Sequence, residues 1–162
     1  MPSLMRIHTI HRRQFLPIEV EDAWRFFSSP RNLAKITPPD MHFKVVSCPS
    51  DTDIWTGMRI SYTLRPIWNI PAGWTTLIQE VDAPHSFVDT QEKGPYALWH
   101  HKHTFEPSDG GTMMTDEVRY ALPLGILGDI AHALLVKKRV EHIFDHRYIR
   151  LQQMFGMSGN KG

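Results

Sequence analysis

The stretch Ala97-Leu98-Trp99-His100-His101-Lys102-His103-Thr104-Phe105 alternates in character residue by residue, as an extended strand with two different faces does. Side chains two apart share a face of a strand, so Trp99, His101, His103 and Phe105 lie together, and His100, Lys102 and Thr104 lie opposite. The first set mixes bulky apolar groups with hydrogen-bonding rings. That is the composition of a pocket wall for a partly polar organic molecule rather than of a close-packed core.

Outward from this strand the period of two continues. Alternating segments near 42–48, 57–64, 73–81, 85–91, 97–106 and 112–121 are separated by Pro49-Ser50-Asp51, Ile67 to Ala72, Asp82-Ala83-Pro84, Lys93-Gly94-Pro95 and Ser108-Asp109-Gly110-Gly111. Each separator carries the Gly, Pro, Asp or Ser that turns require. Turns at this short spacing predict an antiparallel meander, not strands alternating with helices. Asp109-Gly110-Gly111 is the strongest hairpin signal.

Upstream, residues 6–15 read as a first strand. Val20, Ala23, Trp24 and Phe27 then share one side of a helix that has acids in its first turn and is broken by Ser28-Ser29-Pro30. A short second helix over 31–36 stops at Thr37-Pro38-Pro39-Asp40. Downstream of Pro123 and Gly125, apolar residues recur at three- and four-residue steps: Ile126, Ile130, Ala133, Leu134, Val140, Phe144, Tyr148, Leu151 and Phe155. This predicts one long amphipathic helix that lays that stripe on the sheet. A lone long helix on an antiparallel sheet requires a curved sheet, and the pair encloses a volume. The class is α+β.

At 162 residues and 41% hydrophobic, the chain is expected to form a single domain over 1–162, with a core of about 6–155 and a flexible tail over 156–162. Eighteen basic against seventeen acidic residues leave a net charge of +1, so no general field draws nucleic acid or an anionic membrane. Cys48 is the only cysteine, which excludes an intramolecular disulfide and a cysteine metal cluster and suits a reducing, cytoplasmic location. Residues 1–13 lack the apolar core of a secretory signal, and no stretch reaches the ~20 apolar residues of a membrane span. No phosphate-cradling glycine loop and no Gly-x-Ser-x-Gly elbow occurs, so no cofactor is expected.

Three motifs together resemble the SRPBCC superfamily, the helix-grip proteins that include the birch-pollen allergens, START-like lipid-transfer domains and polyketide cyclases. They are Pro17-x-Glu19-x-x-Asp22-Ala23-Trp24-x-Phe26-Phe27 with Asn32-Leu33 and Thr37-Pro38-Pro39; Gly94-Pro95-Tyr96-x-x-Trp99-x-His101-x-His103-x-Phe105; and Asp116-x-Val118-x-Tyr120-x-x-Pro123-x-Gly125. The resemblance implies a curved seven-stranded antiparallel sheet wrapped around a long C-terminal helix, with two short helices after the first strand. It implies a ligand cavity between sheet and helix, but fold alone does not assign chemistry.

If Trp99, His101, His103 and Phe105 face the helix, strand periodicity brings Met114, Asp116 and Tyr120 to the same space, with Phe87, Asp89 and Gln91 on the other flank. Tyr62 and Trp74 complete the expected ligand-binding set. The expected function is binding of a small, mainly hydrophobic or amphipathic molecule. The alternative is a cyclase- or dehydratase-like enzyme in which His101, His103 and Asp116 act as general acid and base. Structural hydrogen bonding is the commoner role for such groups. His101 and His103 with Asp116 could chelate a metal, but neither ligand count nor geometry is fixed by sequence, and none is expected. His142 and His146, four apart, fall opposite the apolar stripe as solvated helix residues. Lys137-Lys138-Arg139 reads as a wet helix flank, not a nucleic-acid patch. Arg147 reads as a helix anchor, and Leu135 and Val136, off the stripe, are candidates for a partner contact. A monomer or weak homodimer is expected.

Overall fold

Turn residues divide the meander into strands that join the first strand in one antiparallel sheet of order β1-β7-β6-β5-β4-β3-β2. A computed structural model describes residues 5–156, so all but Gly156 of the expected tail lies outside the described residues. The strands are β1 (His8–Leu16), β2 (Lys44–Ser47), β3 (Arg59–Leu64), β4 (Ala72–Asp82), β5 (Ser86–Lys93), β6 (Leu98–Ser108) and β7 (Gly111–Ala121). From β2 to β7 each strand pairs with the next in sequence, as short turns dictate, and β1 closes the order by pairing with β7, His8 opposite Tyr120. The β6–β7 hairpin turns at Asp109-Gly110, with Ser108 paired to Gly111. Gly110 supplies the left-handed conformation, φ 78°, that a side chain resists there.

Helix α1 (Val20–Phe27) buries Val20 and Ala23. The segment expected as a second helix is a 3-10 helix, Pro30–Ile36, followed by another at Pro39–Met41. Prolines open both, and neither runs much beyond two 3-10 turns.

The C-terminal helix begins as α2 (Ile126–Ala131), widens to a π-turn over His132–Val136 and continues as α3 (Lys137–Phe155). Its buried line runs Gly128, His132, Val136, Val140, Phe144, Arg147, Leu151. The expected stripe is therefore correct only in its second half. Val140, Phe144 and Leu151 are buried, whereas Ile126, Ile130, Ala133, Leu134 and Tyr148 are exposed. The reason is phase: a 3.6-residue helix drifts off a four-residue repeat, and the wider π-turn holds 128, 132, 136 and 140 on one side. Val136 is buried, so the partner contact expected of it is corrected; Leu135 is half-buried.

Three apolar clusters hold the sheet to these helices. Leu16, Ala23, Phe105, Met114 and Leu151 fill one end, Val118, Tyr120, Val136 and Val140 another, and Met58, Ile60, Tyr62 and Ile78 back the β3–β4 wall.

Candidate functional site

A cavity of about 190 Å³ takes its walls from all three clusters. Leu33, Ile36, Phe43 and Ile54 come from the 3-10 helices and loops, Ile60, Tyr62, Trp74 and Ile78 from β3 and β4, and Ile143, Phe144 and Arg147 from α3. Sheet periodicity puts Phe87 and Asp89 of β5 beside Trp99, His101 and His103 of β6. The inward parity of β6 holds: His101 and His103 are each 5% exposed, while Lys102 points to solvent.

Of the residues expected to line the cavity, Tyr62, Trp74, Phe87, Asp89, Trp99, His101 and His103 do so. Gln91, Phe105, Met114, Asp116 and Tyr120 are outside its lining. Gln91 bonds both ways to the Tyr96 backbone, its amide donating to the carbonyl and its oxygen accepting from the N–H, so it pins the β5–β6 turn. Phe105 and Met114 are packed into the core between α1 and the sheet. The Tyr120 hydroxyl is 2.7 Å from His132 Nε2, facing the helix rather than the cavity. Asp116 stands behind the histidines, where it holds His101. His142 is exposed, as its wheel position implied, whereas His146 is half-buried rather than fully solvated.

The polar cluster is tight. His101 Nε2 is 2.7 Å from Asp116 Oδ1, and His103 Nε2 is 2.6 Å from Asp89 Oδ2. The two imidazoles stack with centroids 3.7 Å apart, and Phe87 stacks on the far face of His103 at 4.1 Å. Nδ1 of His103 lies 3.2 Å from Asp116 Oδ1, yet it is misaligned and makes no hydrogen bond. Arg147, reaching in from α3, places Nη2 3.5 Å from the same oxygen, while its buried Nε has no protein partner.

Burial disfavours charge on every member, so the partners decide which ones stay ionised. Burial alone would raise Asp116, but Arg147 and the two imidazoles hold it well below the usual carboxylate range. Burial likewise opposes ionisation of Asp89, and the His103 hydrogen bond and nearby cations lower it. For His103 burial pushes downward, but Asp116 and Asp89 outweigh it and raise its pKa above 6.5. His101 goes the other way, lowered from 6.5 by burial first and then by the stacked His103. Of the two stacked imidazoles, His103 takes a proton more readily than His101. Two carboxylates held toward their ionised form thus face the Arg147 guanidinium and the imidazole that takes a proton more readily.

Asp89, rather than the expected Asp116, joins His101 and His103 in a group whose ligating atoms all lie within 4.8 Å of one another. A divalent ion there would have to displace the proton that His103 shares with Asp89, and it would sit near Arg147. Adding a dication beside the Arg147 guanidinium in an apolar wall opposes that exchange.

Sequence reasoning missed the wall formed by Leu33, Phe43 and Ile54, because loop residues carry no periodicity. It undervalued Arg147, whose only signal was a charged residue in phase with Val140, Phe144 and Leu151.

No protein-family model matches the chain, and no curated protein matches it. Solved structures do. Protein CV1439 from Chromobacterium violaceum superposes with a TM-score of 0.69 at 15% identity, covering 91% of this chain and 97% of that one. Protein Ms6760 from Mycobacterium smegmatis gives 0.63 at 20% identity, over 90% and 92%. A norcoclaurine synthase point mutant from Thalictrum flavum, in complex with a transition state analogue, gives 0.62 at 13%, over 93% and 97%. These likenesses, with the seven-stranded sheet gripping one C-terminal helix, give the chain the SRPBCC-like helix-grip fold, built around a cavity able to hold a ligand.

Proposed function

We propose that the protein is an acid–base enzyme acting on a small, mainly apolar molecule that carries a carbonyl oxygen, in the manner of a cyclase or dehydratase. One observation carries this reading: two histidines stack on each other at the cavity wall, each within hydrogen-bond distance of its own carboxylate, an arrangement that pushes their pKa values in opposite directions. Pairs of titratable groups pushed apart in this way supply the base and the acid of one reaction.

Neutral His101 is the base. Its Nε2–H donates to Asp116, which leaves Nδ1 unprotonated to remove a proton next to the carbonyl. Protonated His103 is the acid. The proton leaves from Nε2, the nitrogen held at the cavity wall by Asp89, because Nδ1 is buried against Asp116; it passes to the developing enolate oxygen, or to a departing hydroxyl that leaves as water, and Asp89 steadies the ring. The guanidinium of Arg147, a residue of the cavity wall, suits the oxyanion that forms in between. The apolar wall holds the rest of the molecule, at ~25 cal/mol per Å² removed from water before the costs of binding. That a norcoclaurine synthase uses the same fold supports hosting such chemistry here.

The probe is α-tetralone in deuterated buffer, with loss of its α-protons followed by NMR and binding followed by calorimetry. The protein should accelerate exchange, and His101→Gln should slow it ~10²-fold or more while binding changes little. Binding without acceleration would refute the enzyme and leave a carrier of hydrophobic ligands.

A further inference from the structure

The first two turns of the C-terminal helix are inside out. Their buried side carries Gly128 and His132, while Leu127, Ile130 and Leu134 face outward, Leu127 and Leu134 each 68% exposed. Leu124, 78% exposed, precedes them, and Trp68, 73% exposed, adjoins them across a shallow groove shared with Leu134 and Lys138. Isolated exposed leucines are ordinary, but a continuous apolar surface of this kind on one helix and one loop marks a contact with something apolar.

The rim says what that is. Lys137 and Lys138 follow Leu134 directly after Leu135 and Val136, and both are exposed. Asp129 is the acid on this stretch of helix, and Asp40, at the groove, is taken up by Arg139 at 2.7 Å. A two-fold dimer through this face would bring two cationic rims together. An anionic lipid surface complements both features, since apolar side chains enter the acyl boundary while lysines meet the headgroups. The overall charge of +1 conceals this local asymmetry.

We propose that this face, Leu124 to Leu134 with the Trp68 loop, docks on anionic lipid bilayers. The position fits the cavity, because Ile67 and Arg139 line both the groove and the cavity wall. A poorly water-soluble ligand would then enter from the bilayer side. Docking itself does not depend on any turnover within the cavity.

The test is co-sedimentation of the full chain with vesicles of phosphatidylcholine alone and of phosphatidylcholine mixed with phosphatidylglycerol. Binding should be strong to the mixed vesicles, weak to phosphatidylcholine, and diminished by salt. Leu127→Ser with Leu134→Ser should weaken it about tenfold or more, given the apolar area lost. Lys137→Glu with Lys138→Glu, fully surface changes, should abolish the preference for anionic vesicles. Failure to sediment with mixed vesicles overturns the proposal, as does wild-type binding by both double variants. A concentration-dependent dimer, dissolved by the leucine changes with no vesicle binding, would assign the face to a second copy instead.

Discussion

Replacing Asp116 with asparagine removes a charge without removing volume, and the cost falls on the groups packed around it. Asp116 is 3% exposed, and one of its oxygens faces His101 at 2.7 Å, His103 at 3.2 Å and Arg147 at 3.5 Å. Without its charge the guanidinium of Arg147 stays buried with its nearest counter-ion gone. Breaking a buried pair by neutralising one partner costs about 3–5 kcal/mol. In a chain of this length each kcal/mol moves the thermal midpoint by about 2–4 °C, so Asp116→Asn should melt roughly 10 °C below wild type. Adding Arg147→Met should then restore part of the loss, because the stranded charge is gone, giving a coupling of about 1–3 kcal/mol in a double-mutant cycle. Calorimetry of the four proteins at pH 7 measures both quantities. A midpoint for Asp116→Asn within about 2 °C of wild type, or strictly additive effects, would refute the view that a closed charge network holds the cavity wall.

Exchange of α-tetralone should peak between the two histidine pKa values, one below and one above 6.5, and fall on either side; a single sigmoid would contradict the base and acid assignments. Stability has its own pH profile. His103, raised on folding, contributes fully below 6.5 and loses that contribution as pH climbs through its folded value, so His103→Asn should lack this alkaline loss in urea titrations. Asp89 and Asp116, depressed on folding, contribute above 3.8 and lose it as pH falls through their folded values. Phe87→Ala, which removes the ring stacked on His103, should cost about 3–5 kcal/mol in the same titrations; a cost under about 1 kcal/mol would mean the cavity collapses freely. Equimolar Zn²⁺ should leave the melting temperature unchanged, and a rise that Asp89→Asn abolishes would overturn the charge argument against a metal.

The sheet was legible because two independent signals agreed at each strand. Turn chemistry set the ends of β3 to β7 to within a few residues, and the period of two set the facing. For β6 the facing mattered most, since a one-residue slip would have exchanged His101 and His103 for His100 and Lys102. The C-terminal helix was legible only as a helix. Apolar residues report the core when a helix has one partner. Between 126 and 134 they report a second surface, and the true packing side is carried by Gly128 and His132, which no hydrophobicity scale would choose. Gly128 is there for close approach, since a Cβ would meet the carbonyl of Pro123.

The site was half legible for a related reason. Strand parity nominates every inward residue of β5, β6 and β7 equally, yet a curved sheet brings only some of them to the hollow. Phe105 and Met114 of the same faces end in solid core beside α1, while Asp89 and His103, at neighbouring positions, open onto the cavity. What separates them is where α3 passes, and this depends on long-range packing that local pattern does not encode. Arg147 makes the point most sharply. A buried arginine reads as an anomaly along the helix and becomes intelligible only once Asp116, 31 positions earlier and on β7, is found opposite it. The charge that α3 brings to the sheet permits two carboxylates to remain ionised in an apolar wall. Those carboxylates in turn favour the proton on one imidazole over the other, so the chemistry proposed here belongs to the joint between helix and sheet rather than to either element alone.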